Sequence, residues 1–165
     1  MSRAFVFPGQ GAQTIGMGAD LASAYPAAKA VFDEVDDALG EKLSALIWEG
    51  DQETLTLTAN AQPALMATSM AAMAALDAEG IAVGHASFVA GHSLGEYSAL
   101  AATGSLTIGD TARLLRLRGE AMQTATPQGV GAMAAILGLD FEAVQEVAAD
   151  AAEGDICAAA NDNDP

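Results

Sequence analysis

The five residues Gly91-His92-Ser93-Leu94-Gly95 constrain this chain more than any other feature. The apolar run 87–90 ahead of them reads as a short strand, and the residues after them, to about 102, read as a helix. A serine framed in this way at a strand-to-helix junction is the pattern of a nucleophile elbow, a sharp turn that lifts the hydroxyl above a parallel sheet. Glycines flank it because side chains there would collide with the neighbouring strand and helix. The turn aims the N–H of Leu94 at an oxyanion forming beside Ser93, and the helix adds the positive end of its dipole. The competing reading is a serine in an ordinary glycine-rich turn. Placement between strand and helix favours the elbow.

The rest of the chain supplies the layer such an elbow needs. Residues 4–7 read as a first strand, closed by Pro8-Gly9 and running into the loop Gly9-Gln10-Gly11. In a parallel α/β sheet such loops gather at the carboxyl ends of the strands, so the Gln10 N–H is a candidate partner for that of Leu94. A purely structural glycine turn is the alternative; Gly9, Gly11 and Gly16 do not have the spacing of a dinucleotide fingerprint. Pro26 is expected to open an amphipathic helix that buries Ala28, Val31, Phe32, Val35, Ala38 and Leu39 and ends at Gly40. Pro63 is expected to open an alanine-rich helix that Gly80 closes. Thr107 and Asp110 form a helix-start signature for 108–126, with Pro127 ending it. Past a hinge at Gly129 and Gly131, strands are expected at 132–137 and 156–159 around a helix at 141–152. The organisation is an α/β layer over 1–127 and the first part of a smaller α/β unit over 128–165.

Charge narrows the partners. Six Lys and Arg against 22 Asp and Glu give a net charge of -16, which disfavours nucleic acid and demands a local basic patch for any anionic partner. Half of those basic residues, Arg113, Arg116 and Arg118, lie in one predicted helix. Arg118 falls on the side opposite Arg116, among Leu114, Leu115, Ala121 and Met122, where a guanidinium needs an anion. That anion is a substrate carboxylate or an internal Asp or Glu. Arg113 and Arg116 are expected to face solvent and to provide the docking patch. His85 and His92 are the only histidines, and successive residues at a strand end point apart, so neither reads as the base for Ser93. Cys157 is the sole cysteine, which rules out an intrachain disulfide and fits a cytosolic setting. No signal peptide is read at the start. The uncharged run 59–76 contains Asn60, Gln62, Pro63, Thr68 and Ser69 and reads as a buried helix rather than a membrane span. The reading includes no metal and no cofactor.

The segments Phe7-Pro8-Gly9-Gln10-Gly11-Ala12-Gln13, Gln62-Pro63-Ala64-Leu65, Gly91-His92-Ser93-Leu94-Gly95-Glu96-Tyr97-Ser98, Arg118-Gly119 and Gly131-Ala132-Met133 occur in an order that resembles the malonyl-CoA:ACP transacylases. The related acyltransferase domains of polyketide and fatty acid synthases share it. The resemblance implies an α/β-hydrolase-like core with a parallel sheet and an inserted ferredoxin-like subdomain, started here from about Gly129. Asn161 and Asn163 resemble asparagines of its following loop. It further implies Ser93 as nucleophile, the N–H groups of Gln10 and Leu94 as oxyanion hole, and Arg118 as holder of a malonyl carboxylate. The implied activity is transfer of malonyl from coenzyme A to the phosphopantetheine thiol of acyl carrier protein in fatty acid biosynthesis. The expected partners are thus malonyl-CoA and acyl carrier protein, in the cytoplasm, with no nucleic acid or membrane. In the family the catalytic histidine comes from the C-terminal half, past residue 165, so the chain resembles a first half with an incomplete sheet. A start at Met1 favours a free-standing parent over a synthase domain. The alternatives are a serine esterase or thioesterase, and a non-catalytic fragment that binds an acyl carrier protein.

Overall fold

The computed structural model describes residues 2–126 and 129–163, in two compact units, Met1–Gln128 and Gly129–Pro165. In the first unit, strand β1 (Ala4–Phe7) leads into helices α1 (Ala19–Ala24), α2 (Pro26–Leu39), α3 (Leu43–Glu49), α4 (Gln52–Thr56) and α5 (Thr58–Ala78). A short 3-10 turn (Val83–His85) precedes strand β2 (Phe88–Gly91), helix α6 (Gly95–Ala102) and helix α7 (Ile108–Ala125). β1 and β2 pair in parallel, Ala4 opposite Phe88 and Phe7 opposite Gly91. The five helices between them form the crossover that a parallel pair requires. The expected α/β layer with parallel pairing is therefore present, as a two-stranded sheet among many helices.

Side chains on the sheet alternate as a pleated strand dictates. Phe5, Phe7 and Val89 face the helical core, while Val6 and Phe88 point outward, 73% and 68% exposed. The core lies between α2, α5 and α7 and is filled by Phe32, Val35, Ile47, Met66 and Leu115. Phe32 and Trp48 meet edge to face with ring centroids 5.0 Å apart. α2 follows its sequence closely: Pro26 stands in its first turn, Ala28, Val31, Phe32 and Val35 are buried, and Gly40 ends it in the left-handed region. Thr107 caps α7 by accepting from the N–H of Asp110 at 3.0 Å, as the signature required, while Pro127 lies outside the described residues.

The alanine-rich helix departs from expectation. α5 begins at Thr58, so Pro63 lies inside it. Proline cannot donate to the carbonyl four residues back, that of Ala59. The guanidinium of Arg116 takes that acceptor instead, Nη1 donating to Ala59 O at 2.8 Å and also to Asn60 Oδ1 at 2.5 Å. An arginine on α7 thus repairs the break in α5 and lets the helix run one turn further back. α5 is buried over Ala61–Ala67, where small side chains admit neighbours closely. Among the described residues no helix is long and apolar enough to cross a membrane.

Among the described residues the second unit contains one helix, α8 (Phe141–Ala151), capped by Asp140, whose carboxylate accepts from Ala143 N at 2.8 Å. The strands expected at 132–137 and 156–159 are not formed. Both segments are apolar runs of strand length, but a strand needs a backbone partner alongside, and Met133, Leu137 and Ile156 remain exposed.

Candidate active site

Ser93 stands at the junction of β2 and α6 with φ = 54°, in the left-handed region that a residue with a Cβ enters only under strain. Both flanking glycines are imposed by close approach. A Cβ on Gly91 would overlap the backbone of Gly95, and one on Gly95 would overlap the carbonyl of Phe7. His92 N donates to Phe7 O at 3.1 Å, extending the parallel ladder to the turn, and Gly95 N donates back to His92 O at 2.8 Å. Strand, strained serine and helix are what the five-residue pattern predicted, and an ordinary relaxed turn does not describe them.

Leu94 is buried beneath the turn, and its N–H heads α6. Gln10 lies in the loop after β1, with its side-chain Nε2 donating to Thr58 Oγ1 at 3.3 Å. Among the described residues neither the Gln10 N–H nor the Leu94 N–H donates to another group. The loop is held from behind: Gly11 N donates to Gln13 Oε1 at 2.8 Å, and Gln52 Nε2 to Gln13 O at 3.2 Å. The imidazole of His92 lies over Gly9, where an added Cβ would collide with Nδ1. Neither His92 nor His85 bonds to the Ser93 hydroxyl.

Arg118 reaches the serine from α7. Nη2 donates to Ser93 Oγ at 2.9 Å and Nη1 donates to Gln62 Oε1 at 2.6 Å, while the guanidinium carbon lies 5.9 Å from the centre of the Tyr97 ring. α7 comes this close to α5 because Gly119 has no side chain; a Cβ there would lie 2.6 Å from both Ala59 Cα and Thr58 O. The ion pairs among the described residues are Lys29–Asp33, Lys42–Asp36, Arg113–Asp110 and Arg116–Glu41. Arg118 is in none of them. Its partners are a hydroxyl and a neutral amide, so its charge is not offset by an internal carboxylate.

The expected docking patch changes accordingly. Arg116 does not project freely to solvent: its side chain is 17% exposed and tied to Glu41, Ala59 and Asn60. Arg113 is exposed beside Leu106, Leu114 and Leu117, and its bond to Asp110 holds that carboxyl below the usual carboxylate range, with help from Thr107.

Two residues of this constellation carry no functional role in the sequence reading. Gln62 is wholly buried. Its signal was an amide in the uncharged run 59–76, where burial obliges it to find hydrogen-bond partners. Gln13 is the other, a buried amide three residues after Gln10. Among the described residues no group of three or more His, Cys, Asp or Glu side chains could hold a metal ion.

The sequence matches the acyl transferase domain family over residues 4–164. It is 54% identical over 163 residues to the malonyl CoA-acyl carrier protein transacylase of Bacillus subtilis (strain 168), covering 98% of this chain and 50% of that protein. The protein of the same name from Escherichia coli (strain K12) is 47% identical, with 98% and 52% covered. An acyl-carrier-protein-S-malonyltransferase from Bartonella henselae superposes with a TM-score of 0.93 at 57% identity, over 99% of this chain and 52% of that one. A malonyl-transacylase solved in complex with its type II PKS acyl-carrier protein gives 0.87 at 45% identity, over 94% and 50%. The chain spans about half the length of the curated relatives it matches.

Proposed function

Because the chain belongs to the acyl transferase domain family, we propose that Ser93 carries a malonyl group as an ester between coenzyme A and the phosphopantetheine thiol of an acyl carrier protein. The observation that carries this reading is the uncompensated guanidinium of Arg118 within 2.9 Å of the serine hydroxyl. An acyl group bound to Ser93 and ending in a free carboxylate would bring the missing anion to it, and a bidentate pair would form. A group ending in a methyl would leave the charge unmatched, at a cost of roughly 1.5–3 kcal/mol.

In the first half-reaction Ser93 Oγ attacks the thioester carbonyl carbon, and its proton passes to a base. The N–H groups of Gln10 and Leu94 receive the oxyanion; both are free of other partners among the described residues. The carbon–sulfur bond breaks and coenzyme A leaves as the thiol, taking the proton. In the second half-reaction the carrier thiol attacks the Ser93 ester and Ser93 regains its proton. The base in this reading is a histidine in the part of the relatives' length that this chain does not span. The parallel β1–β2 pair with an elbow at its carboxyl end supports an α/β-hydrolase-like core, and residues from Gly129 onward would begin a ferredoxin-like subdomain. The setting is cytosolic fatty acid biosynthesis.

The test is the intact mass of the protein before and after malonyl-CoA, with acetyl-CoA and Ser93→Ala as controls. A malonyl adduct that requires Ser93 and exceeds the acetyl adduct supports the proposal. An adduct in Ser93→Ala, or equal labelling by both thioesters, overturns it. Release of free malonate with no transfer to a carrier would assign the chain to the thioesterases instead.

A further inference from the structure

Arg118 does not stand alone. It and Met122 lie one turn apart on the same face of α7, and Gln62 of α5 fits between them. Gln62 Oε1 accepts from Arg118 Nη1 at 2.6 Å, and Gln62 Nε2 donates to Met122 Sδ at 3.3 Å. We propose that Gln62 and Met122 are positioning residues for the reaction assigned to Ser93, together holding the Arg118 guanidinium on the acyl carboxylate. The proposal rests on the reading of Arg118 as the carboxylate anchor.

The chemistry of the three groups permits one arrangement. A guanidinium only donates, so the glutamine must turn its oxygen toward Arg118. Its NH2 then faces the other way, inside a side chain that is wholly buried, and requires an acceptor. The Met122 thioether accepts and cannot donate. A flipped amide would set NH2 against guanidinium and carbonyl oxygen against sulfur, two unfavourable contacts in place of two favourable ones. Met122 therefore fixes which way Gln62 points, and Gln62 fixes Arg118 at the distance from Ser93 that the structure records.

The neutral amide matters as much as its direction. A glutamate at this position would hold the guanidinium as firmly but would satisfy its charge, and a substrate carboxylate would then have to displace it. A leucine would leave Nη1 without a partner and free the side chain to turn. Gln62 combines a strong acceptor with zero charge, which orients Arg118 while leaving its charge for the ligand.

The experiment compares Gln62→Leu, Gln62→Glu, Met122→Leu and Arg118→Met. Two readouts are taken: nitrogen-15 spectra of the Arg118 side chain in the free protein, and calorimetric affinities for malonyl-CoA and acetyl-CoA in a Ser93→Ala background. Circular dichroism establishes that each variant folds. In the parent, the Arg118 N–H resonances are expected to be separate and slowly exchanging. Gln62→Leu should collapse them and weaken malonyl-CoA about tenfold, the loss of one charge-assisted hydrogen bond, leaving acetyl-CoA unchanged. Gln62→Glu should keep the resonances separate yet erase the preference for malonyl-CoA, a split that a merely structural role would not produce. Met122→Leu should broaden the resonances and weaken malonyl-CoA about threefold. Unchanged Arg118 spectra in both Gln62→Leu and Met122→Leu overturn the proposal, whatever the affinities. If Arg118→Met loses the malonyl preference while Gln62→Leu keeps it, the positioning role fails and the anchor reading stands. If Arg118→Met keeps it, the anchor reading fails, and the proposal with it.

Discussion

Ser93 holds φ = 54°, and that strain separates what the residue contributes to stability from what it contributes to chemistry. Ser93→Ala removes the hydroxyl and keeps the strain; Ser93→Gly removes both. The left-handed conformation costs a residue with a Cβ roughly 1–2 kcal/mol, and glycine gives back about half of the relief through its freer unfolded chain. Ser93→Gly is therefore expected to be more stable than Ser93→Ala by about 1 kcal/mol in denaturant melts, with neither variant acylated. Equal stability would mean that the turn relaxes once the hydroxyl is gone. Arg116 carries a second expectation at this scale. It supplies the donor that Pro63 cannot, so Arg116→Met should cost about 1.5–3 kcal/mol, visible as a lower Tm. Arg116→Lys should recover only part of it, since one ammonium cannot reproduce bonds to Ala59, Asn60 and Glu41 together. These two arginines also mark the reach of the sequence. Helical spacing puts Arg118 opposite Arg116 on α7, yet both side chains reach α5, Arg118 at Gln62 and Arg116 at Ala59 and Asn60. It could not foresee that a broken helix 57 residues away would bury the second guanidinium.

At the scale of elements, α7 is the part that must be placed accurately, and two of its glycines test how. At Gly119 an added methyl meets the backbone of Thr58 and Ala59 at 2.6 Å, where nothing can swing aside. Gly119→Ala should destabilise by about 1–2 kcal/mol, overpacking offset in part by the better helix propensity of alanine, and should move Arg118 off Ser93. At Gly109 the same methyl meets Ala38 Cβ at 3.4 Å, an ordinary contact. Gly109→Ala should be neutral or stabilising by up to about 1 kcal/mol. Thermal melts of the two variants check the opposite signs, and loss of malonyl labelling in Gly119→Ala alone checks the link to the site. Helix ends add a dependence on pH. The Asp51 carboxyl is held low first by the Thr54 N–H it caps, and that of Asp110 by Arg113 and then Thr107. A carboxyl depressed by folding contributes stability that is fully present above its ordinary value of 3.8 and is lost as pH falls through the folded value. Asp51→Asn and Asp110→Asn should each flatten the fall in Tm below about pH 4, leaving the slope near neutrality unchanged. Both ends of α2 and the start of α7 were legible in the sequence because Pro26, Gly40 and Thr107 act locally. The start of α5 was not, because the group that permits a proline inside it comes from another helix.

For the whole molecule the two units pose different problems of burial. The first has a core with Phe32, Leu43, Ile47, Leu55, Met66 and Leu115 all essentially removed from water. In the second, Ala148 is the buried apolar residue among those described, while Val130, Met133, Leu137, Val147 and Ile156 are between 58% and 100% exposed. Ala148, with Phe141, Ala143 and Val144 only half-buried, cannot offset the entropy of ordering some thirty residues, so α8 rests largely on local hydrogen bonds. This is why the apolar runs 132–137 and 156–159 misled: a short apolar run has the composition of a buried strand, and leaves open whether anything lies alongside to pair with it. In amide hydrogen exchange of this chain, residues 132–139 and 156–163 should therefore exchange within about tenfold of an unstructured peptide. α8 should be weakly protected, and the amides of α2, α5 and α7 should require global unfolding. Protection above about a hundredfold in 132–137 would contradict the assignment and mean that a strand has formed there. The same measurement repeated on a polypeptide of the relatives' full length separates two causes. If 132–137 becomes protected, the strand reading was right and lacked only a partner backbone; if it stays unprotected, the apolar run never encoded a strand.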